Sequence, residues 1–117
     1  MYNFEQFTTR HVSVSTPRVT LRKDATFALN PLALDLLGQP DYIVYLFDPD
    51  TRVVGFRPAA AKQPGAYRVK KEGKYRSCPI AAKSFCYHYS IDYSERRHFT
   101  PEMHDGVLVI KLEGRGE

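Results

Sequence analysis

A mainly β fold with short helices (α+β), closed into a compact β-barrel of two intertwined, pseudo-twofold-related halves, is what this sequence predicts. Three observations carry that expectation. Short runs of alternating apolar and polar residues recur along the chain, the period of a half-buried strand. Aromatic residues make up 13% of the sequence, and with no Trp they are all Tyr and Phe, which favour strands. The pattern of residues 19–37 returns 48 positions later at residues 67–85. A chain of 117 residues makes one domain, here residues 1–117, with halves 12–58 and 66–113 joined by a linker at 58–65.

The elements follow in order. Residues 1–11 show no clear period and suit a short arm or a capping helix. Val12 and Val14 alternate with polar neighbours and start a strand. Val19 and Leu21 alternate with basic residues, Asp24-Ala25 suits a tight turn, and residues 26–29 return, so residues 18–29 read as a hairpin. Asn30-Pro31 is a helix start: the Asn oxygen accepts a free backbone N–H, and Pro sits where no N–H is needed. The helix is expected from Pro31 to Leu37, burying Leu32 and Leu36 together with Ala33 and Leu37, and Gly38 ends it. Residues 41–47 form the strongest strand pattern of the chain. Residues 48–51 are turn chemistry, and residues 52–57 return as a strand. Pro58, Pro64 and Gly65 mark residues 58–65 as a connector.

Overlaying the halves at a spacing of 48 sets Leu21 on Val69, Phe27 on Tyr75, Asn30-Pro31 on Cys78-Pro79 and Leu37 on Phe85. The second half is then expected to hold a longer helix from Pro79 to Tyr89, a connector through residues 90–101, and a closing strand at residues 106–112. Each half has about 45 residues, marginal for a core of its own. The halves are therefore expected to interlock, and closure into a barrel removes exposed strand edges.

Residues 19–38 followed by 42–57, and 67–85 followed by 107–112, together resemble the AbrB/MazE-like swapped-hairpin family. In that family a β-hairpin, a short helix and a second hairpin intertwine with a second copy. The resemblance implies an internally duplicated single chain and a DNA-binding transcriptional regulator or antitoxin-like factor. The family has Gly at the first turn; here the turns are Asp24-Ala25 and Glu72-Gly73.

The residue chemistry offers its own candidate. The net charge is +4 and the pI about 9.1, compatible with nucleic-acid or acidic protein partners. Arg18, Arg22 and Lys23 lie on the first strand, and Arg68, Lys70, Lys71, Lys74 and Arg76 on its counterpart. A basic two-stranded ribbon fits the major groove and its cations neutralise phosphates. These eight residues are the candidate DNA-binding set, with Arg the better base reader because its fork pairs with guanine. The bland alternative is a solvated outer face. Arg96 and Arg97 either extend this surface or pair with Glu95 and Glu102. The expected partner is double-stranded DNA; the alternative is a protein-interaction module engaging an acidic partner protein. The expected state is a monomeric pseudo-dimer or a homodimer.

Other chemistries find weaker support. No apolar run approaches the roughly 20 residues of a membrane span, and residues 1–7 lack the features of a signal peptide, so a cytoplasmic protein without a membrane partner is expected. Cys78 and Cys86, if joined by a helix, lie about 12 Å apart along its axis, too far for a disulfide, and read as buried thiols. Cys78 before Pro79 would sit at a helix start, where the dipole could lower a thiol pKa, but a simple cap or small packed residue is the preferred reading. His88 and Asp92 could meet on a helix face, and His98 and His104 in a loop, but neither spacing matches a standard zinc pattern. Asp48 and Asp50 are explained by their turn. Phe85 and Tyr89 share a helix face, which reads as core rather than a base-stacking platform. No catalytic residue, metal or cofactor is expected.

Overall fold

The computed structural model describes residues 2–4, 16–71 and 77–112. The expected strand at Val12 and Val14 lies outside them. The described chain is mainly β, with nine strands and two short helices. In chain order these are β1 (Val19–Leu21), β2 (Thr26–Leu29), α1 (Pro31–Leu36), β3 (Tyr42–Asp48), β4 (Val53–Ala59), β5 (Tyr67–Arg68), β6 (Cys78–Ala81), α2 (Lys83–His88), β7 (Arg97–Phe99), β8 (Glu102–His104) and β9 (Val107–Lys111). The strands form two antiparallel sheets, ordered β6-β2-β1-β7 and β5-β3-β4-β9-β8.

Both expected hairpins of the first half form. β1 pairs with β2 around the Asp24-Ala25 turn, where Ala25 takes φ 62° and is buried. β3 and β4 pair along their full length, from Tyr42↔Ala59 to Asp48↔Val53. Asp48 closes that turn, its carboxylate accepting from the Asp50 and Thr51 amides at 3.0 and 3.4 Å. β4 runs on to Ala59, so the connector is shorter than residues 58–65. Gly55 is required by close packing: a Cβ there would lie 2.8 Å from Val107 Cγ1 and 3.2 Å from Leu46 Cβ.

The remaining ladders join early residues to late ones. β1 pairs with β7, β2 with β6, β3 with β5 and β4 with β9. Each brings a strand before residue 60 against one after residue 66. One core fills the space between the sheets, with Phe27, Phe56, Ile43, Ile80, Leu108 and Ile110 among its most completely buried side chains.

Two helix expectations are corrected. α1 is capped as expected, with Asn30 Oδ1 accepting from the Ala33 amide at 2.9 Å and Pro31 in the first turn. Its buried face, however, is Ala33, Leu34 and Leu37; Leu32 is half-buried and Leu36 is 43% exposed. The second helix does not start at Pro79. Cys78–Ala81 is strand β6, and the helix spans only Lys83–His88. Pro79 is tolerated in β6 for a geometric reason. Its carbonyl accepts from the Lys70 amide, 3.1 Å away on the side opposite β2. A strand residue aims its N–H and C=O to the same side, so the missing N–H removes no bond to β2.

The spacing between halves changes accordingly. β2 and β6, and α1 and α2, match at an offset of 52, so that Asn30-Pro31 corresponds to Ala82-Lys83 and not to Cys78-Pro79. The segment read as a long connector, residues 90–101, contains strand β7.

Candidate nucleic-acid interface

Alternation along β1 sets the first basic group. Val19 and Leu21 are fully buried, so Thr20 and the flanking Arg18 and Arg22 take the opposite face. Arg18 is exposed, and its backbone amide donates to Asn30 Oδ1 at 2.9 Å, tying the strand start to the cap of α1. The Arg22 amide donates to the Thr26 carbonyl at 2.9 Å, and its carbonyl accepts from the Ala25 amide at 3.0 Å. These bonds shape the turn that carries exposed Lys23. The neighbouring Asp24 carboxylate is occupied by the Thr26 hydroxyl at 2.7 Å.

The second group follows the same logic. Val69 is buried and its amide donates to the Asp41 carbonyl at 2.8 Å, so Arg68 and Lys70 face outward together, as alternation requires. Lys71 is placed differently. Its ammonium donates to the Gln39 carbonyl and to Asp41 Oδ1, both at 2.9 Å. It holds the chain that leaves α1 against the segment after β5. Lys74 and Arg76 lie outside the described residues.

The described parts of the two groups do not form one ribbon. β1 lies on the outer side of β2, while Lys70 reaches the outer side of β6. The paired strands β2 and β6 stand between them. Arg18, Arg22 and Lys23 therefore occupy one flank of the β2·β6 ladder, and Arg68 and Lys70 the other.

Two further residues stand beside the first group. β7 pairs with β1 so that His98 lies opposite Thr20, and His98 Nδ1 is 2.9 Å from Thr20 Oγ1. Arg96 precedes β7 and is exposed. Arg97 turns the other way: its guanidinium lies 5.4 Å from the Phe99 ring centroid and donates to the Asp92 carbonyl at 3.3 Å and the Leu112 carbonyl at 3.5 Å. It pairs with neither Glu95 nor Glu102, whose carboxylate meets His104 Nε2 at 3.2 Å. The sequence offers no signal for His98: Arg96-Arg97-His98 is a polar run, with no apolar residue before Phe99 to mark a strand face.

The other chemical candidates resolve into structure. Both cysteines are buried and outside any disulfide, Cys78 within β6 rather than at a helix start. Burial pushes the Cys86 thiol up to about 11. The Tyr45 hydroxyl donates to the Ala81 and Ile80 carbonyls at 2.9 and 3.2 Å, and burial raises it well above its ordinary value. Phe85 and Tyr89 join the core aromatics, with Phe85 stacked on Tyr45 at 4.6 Å. α2 ends at His88, so Asp92 lies beyond it; the Asp92 carboxylate accepts from the Ser94 amide, which lowers its pKa. Among the described residues, no three of His, Cys, Asp and Glu are placed to hold a metal ion, and no helix is long and apolar enough to cross a membrane.

No family model, curated protein or solved structure matches the chain.

Proposed function

We propose that this chain is a single-chain pseudo-dimer of the swapped-hairpin type that binds double-stranded DNA through its two basic flanks, as a transcriptional regulator or antitoxin-like factor. The supporting observation is that Arg18, Arg22 and Lys23 on one side, and Arg68 and Lys70 on the other, flank a ladder that pairs with itself. In β2·β6 the pairs Thr26↔Ala81 and Leu29↔Cys78 exchange places under the 52-residue offset. In β4·β9 the pairs Val53↔Lys111 and Phe56↔Leu108 exchange under an offset of 55. The β3·β4 and β8·β9 hairpins are related by that same offset. Antiparallel self-pairing of this kind is what a twofold axis through each ladder produces. Halves 12–58 and 66–113 are the units it would relate.

Two seams support a barrel. The Lys70 amide bonds to the Pro79 carbonyl between β5 and β6, and the chain passes from β7 of one sheet to β8 of the other through Thr100-Pro101. A twofold basic surface suits a duplex, whose two strands run antiparallel. Phosphate neutralisation would supply the affinity, with Arg18, Arg22 or Arg68 reading guanine edges. Lys71 contributes less in this reading, since its ammonium is already held by Asp41 and Gln39.

Fluorescence anisotropy of a labelled random duplex tests the reading. Binding is expected at low salt and should weaken steeply as salt rises. Replacing Arg18 and Lys70 together by Ala should reduce the magnitude of the log–log salt slope by about 2, close to one per lost phosphate contact. Absence of binding at low salt would overturn the reading and turn attention to an acidic protein partner.

A further inference from the structure

Among the described residues β7 ends its sheet, and β1 is its partner there. On the inner side of this pair lie Val19, Leu21 and Phe99, with Arg97 folded over Phe99. The outer side is built differently. Thr20 stands opposite His98 in the ladder. The ladder runs from Val19↔Phe99 to Leu21↔Arg97; Arg22 and Arg96 come next at one end of it, and Arg18 and Thr100 at the other. The outer face thus carries Arg18, Thr20 and Arg22 on one strand and Arg96, His98 and Thr100 on the other.

Among the described residues, the charged groups set on this face by strand alternation are Arg18 and Arg22 from β1 and Arg96 before β7. The described acids nearest them in sequence are Asp24, Glu95 and Glu102; the Asp24 carboxylate is held by the Thr26 hydroxyl and that of Glu102 meets His104 Nε2. Like charges brought together on a sheet are destabilising, so two arginines flanking the same end of the ladder are an arrangement that an anion would relieve. His98 is prepared for the same ligand. The contact between Nδ1 and the Thr20 hydroxyl orients the ring and leaves Nε2 directed away from Thr20; in the tautomer in which Nδ1 accepts, Nε2 carries the proton and can donate it.

We propose that this face is a phosphodiester-binding row, in which Arg22 and Arg96 clamp one backbone phosphate and His98, oriented by Thr20, donates from Nε2 to the next. The proposal rests on the duplex-DNA reading and adds Arg96 and His98 to the surface.

The test compares the full chain with Arg96→Gln, His98→Gln and Thr20→Val on a labelled random duplex at low salt. Arg96→Gln should weaken binding roughly 5- to 10-fold and reduce the salt slope by about one. His98→Gln should weaken binding roughly 3- to 10-fold, the loss of one hydrogen bond to a charged phosphate. Thr20→Val should loosen the orientation of His98 and lose part of the same affinity. If the parent binds duplex while Arg96→Gln and His98→Gln keep its affinity, the row is overturned and the two-flank reading stands. If the parent binds no duplex, both fall. Tighter binding of single-stranded RNA than of duplex would overturn the class of ligand.

Discussion

Cys86 sits in α2 with its side chain sealed in the core, and its thiol is held protonated up to about pH 11 against an ordinary value of 9.0. The folded state therefore favours the neutral thiol. This contribution to stability is complete below about pH 9 and is lost as pH rises through about 11. Tyr45 adds to the same alkaline sensitivity, since burial comes first, and the nearby Cys86 and Tyr67 next, in raising its hydroxyl. Urea midpoints should fall over that range, and Cys86→Ala should fall less steeply than the parent. A thiol reagent at pH 8 should label neither buried cysteine until the protein is unfolded; rapid labelling in the native state would contradict the burial of Cys78 and Cys86. Asn30 shows how one residue serves several elements. Its Oδ1 accepts from the Ala33 and Arg18 amides, and its Nδ2 donates to the Thr16 carbonyl at 3.1 Å.

At the scale of elements, that cap makes α1 and α2 unequal. Ala82, in the matching position before α2, offers no side-chain acceptor and is fully buried, its amide donating to the Ala25 carbonyl at 2.9 Å. The outgoing end of α2 is held by Arg52, whose guanidinium donates to the Tyr89 carbonyl at 3.1 Å and lies 5.3 Å from the Phe47 ring centroid. Replacing Asn30 by Ala removes the α1 cap and the anchor of β1 together. A loss of about 1–2 kcal/mol is expected in urea unfolding; a change of only a few tenths would mean that water substitutes for all three bonds. The two hairpins of the first half were readable because their turns are local. Asp24-Ala25 and the Asp48 turn are decided within four residues. β6 and β7 were not readable as strands. Pro79 carries a strong helix-start signal, and only the position of β2 beside it shows that its missing N–H is harmless.

Across the whole molecule, four ladders join the first half to the second, and each half contributes strands to both sheets. Neither half can bury its apolar strands alone. Fragments 1–62 and 63–117, divided in the exposed turn where the Gln63 amide donates to the Ala60 carbonyl, are thus expected to be unfolded as separate monomers. Mixed in equal amounts they should recover β-sheet circular dichroism and one cooperative melting transition. A mixture without such a transition would show that the connector, and not the pairing, holds the halves together.

Sequence alone determined the class of the fold, the first hairpins, the capped start of α1 and the outward direction of Arg18, Arg22, Arg68 and Lys70. All of these depend on neighbours within a few positions, through strand alternation, turn residues or a side chain reaching its own backbone. Tertiary structure alone decided the rest: that Leu36 is exposed while Leu34 is buried, that β2 pairs with β6 and β4 with β9, that Lys71 is tied to Asp41, and that His98 stands beside Thr20. Each of those depends on a partner at least 30 residues away or on which helix face meets the core. A short apolar helix or a three-residue strand carries too little local information to choose between the alternatives.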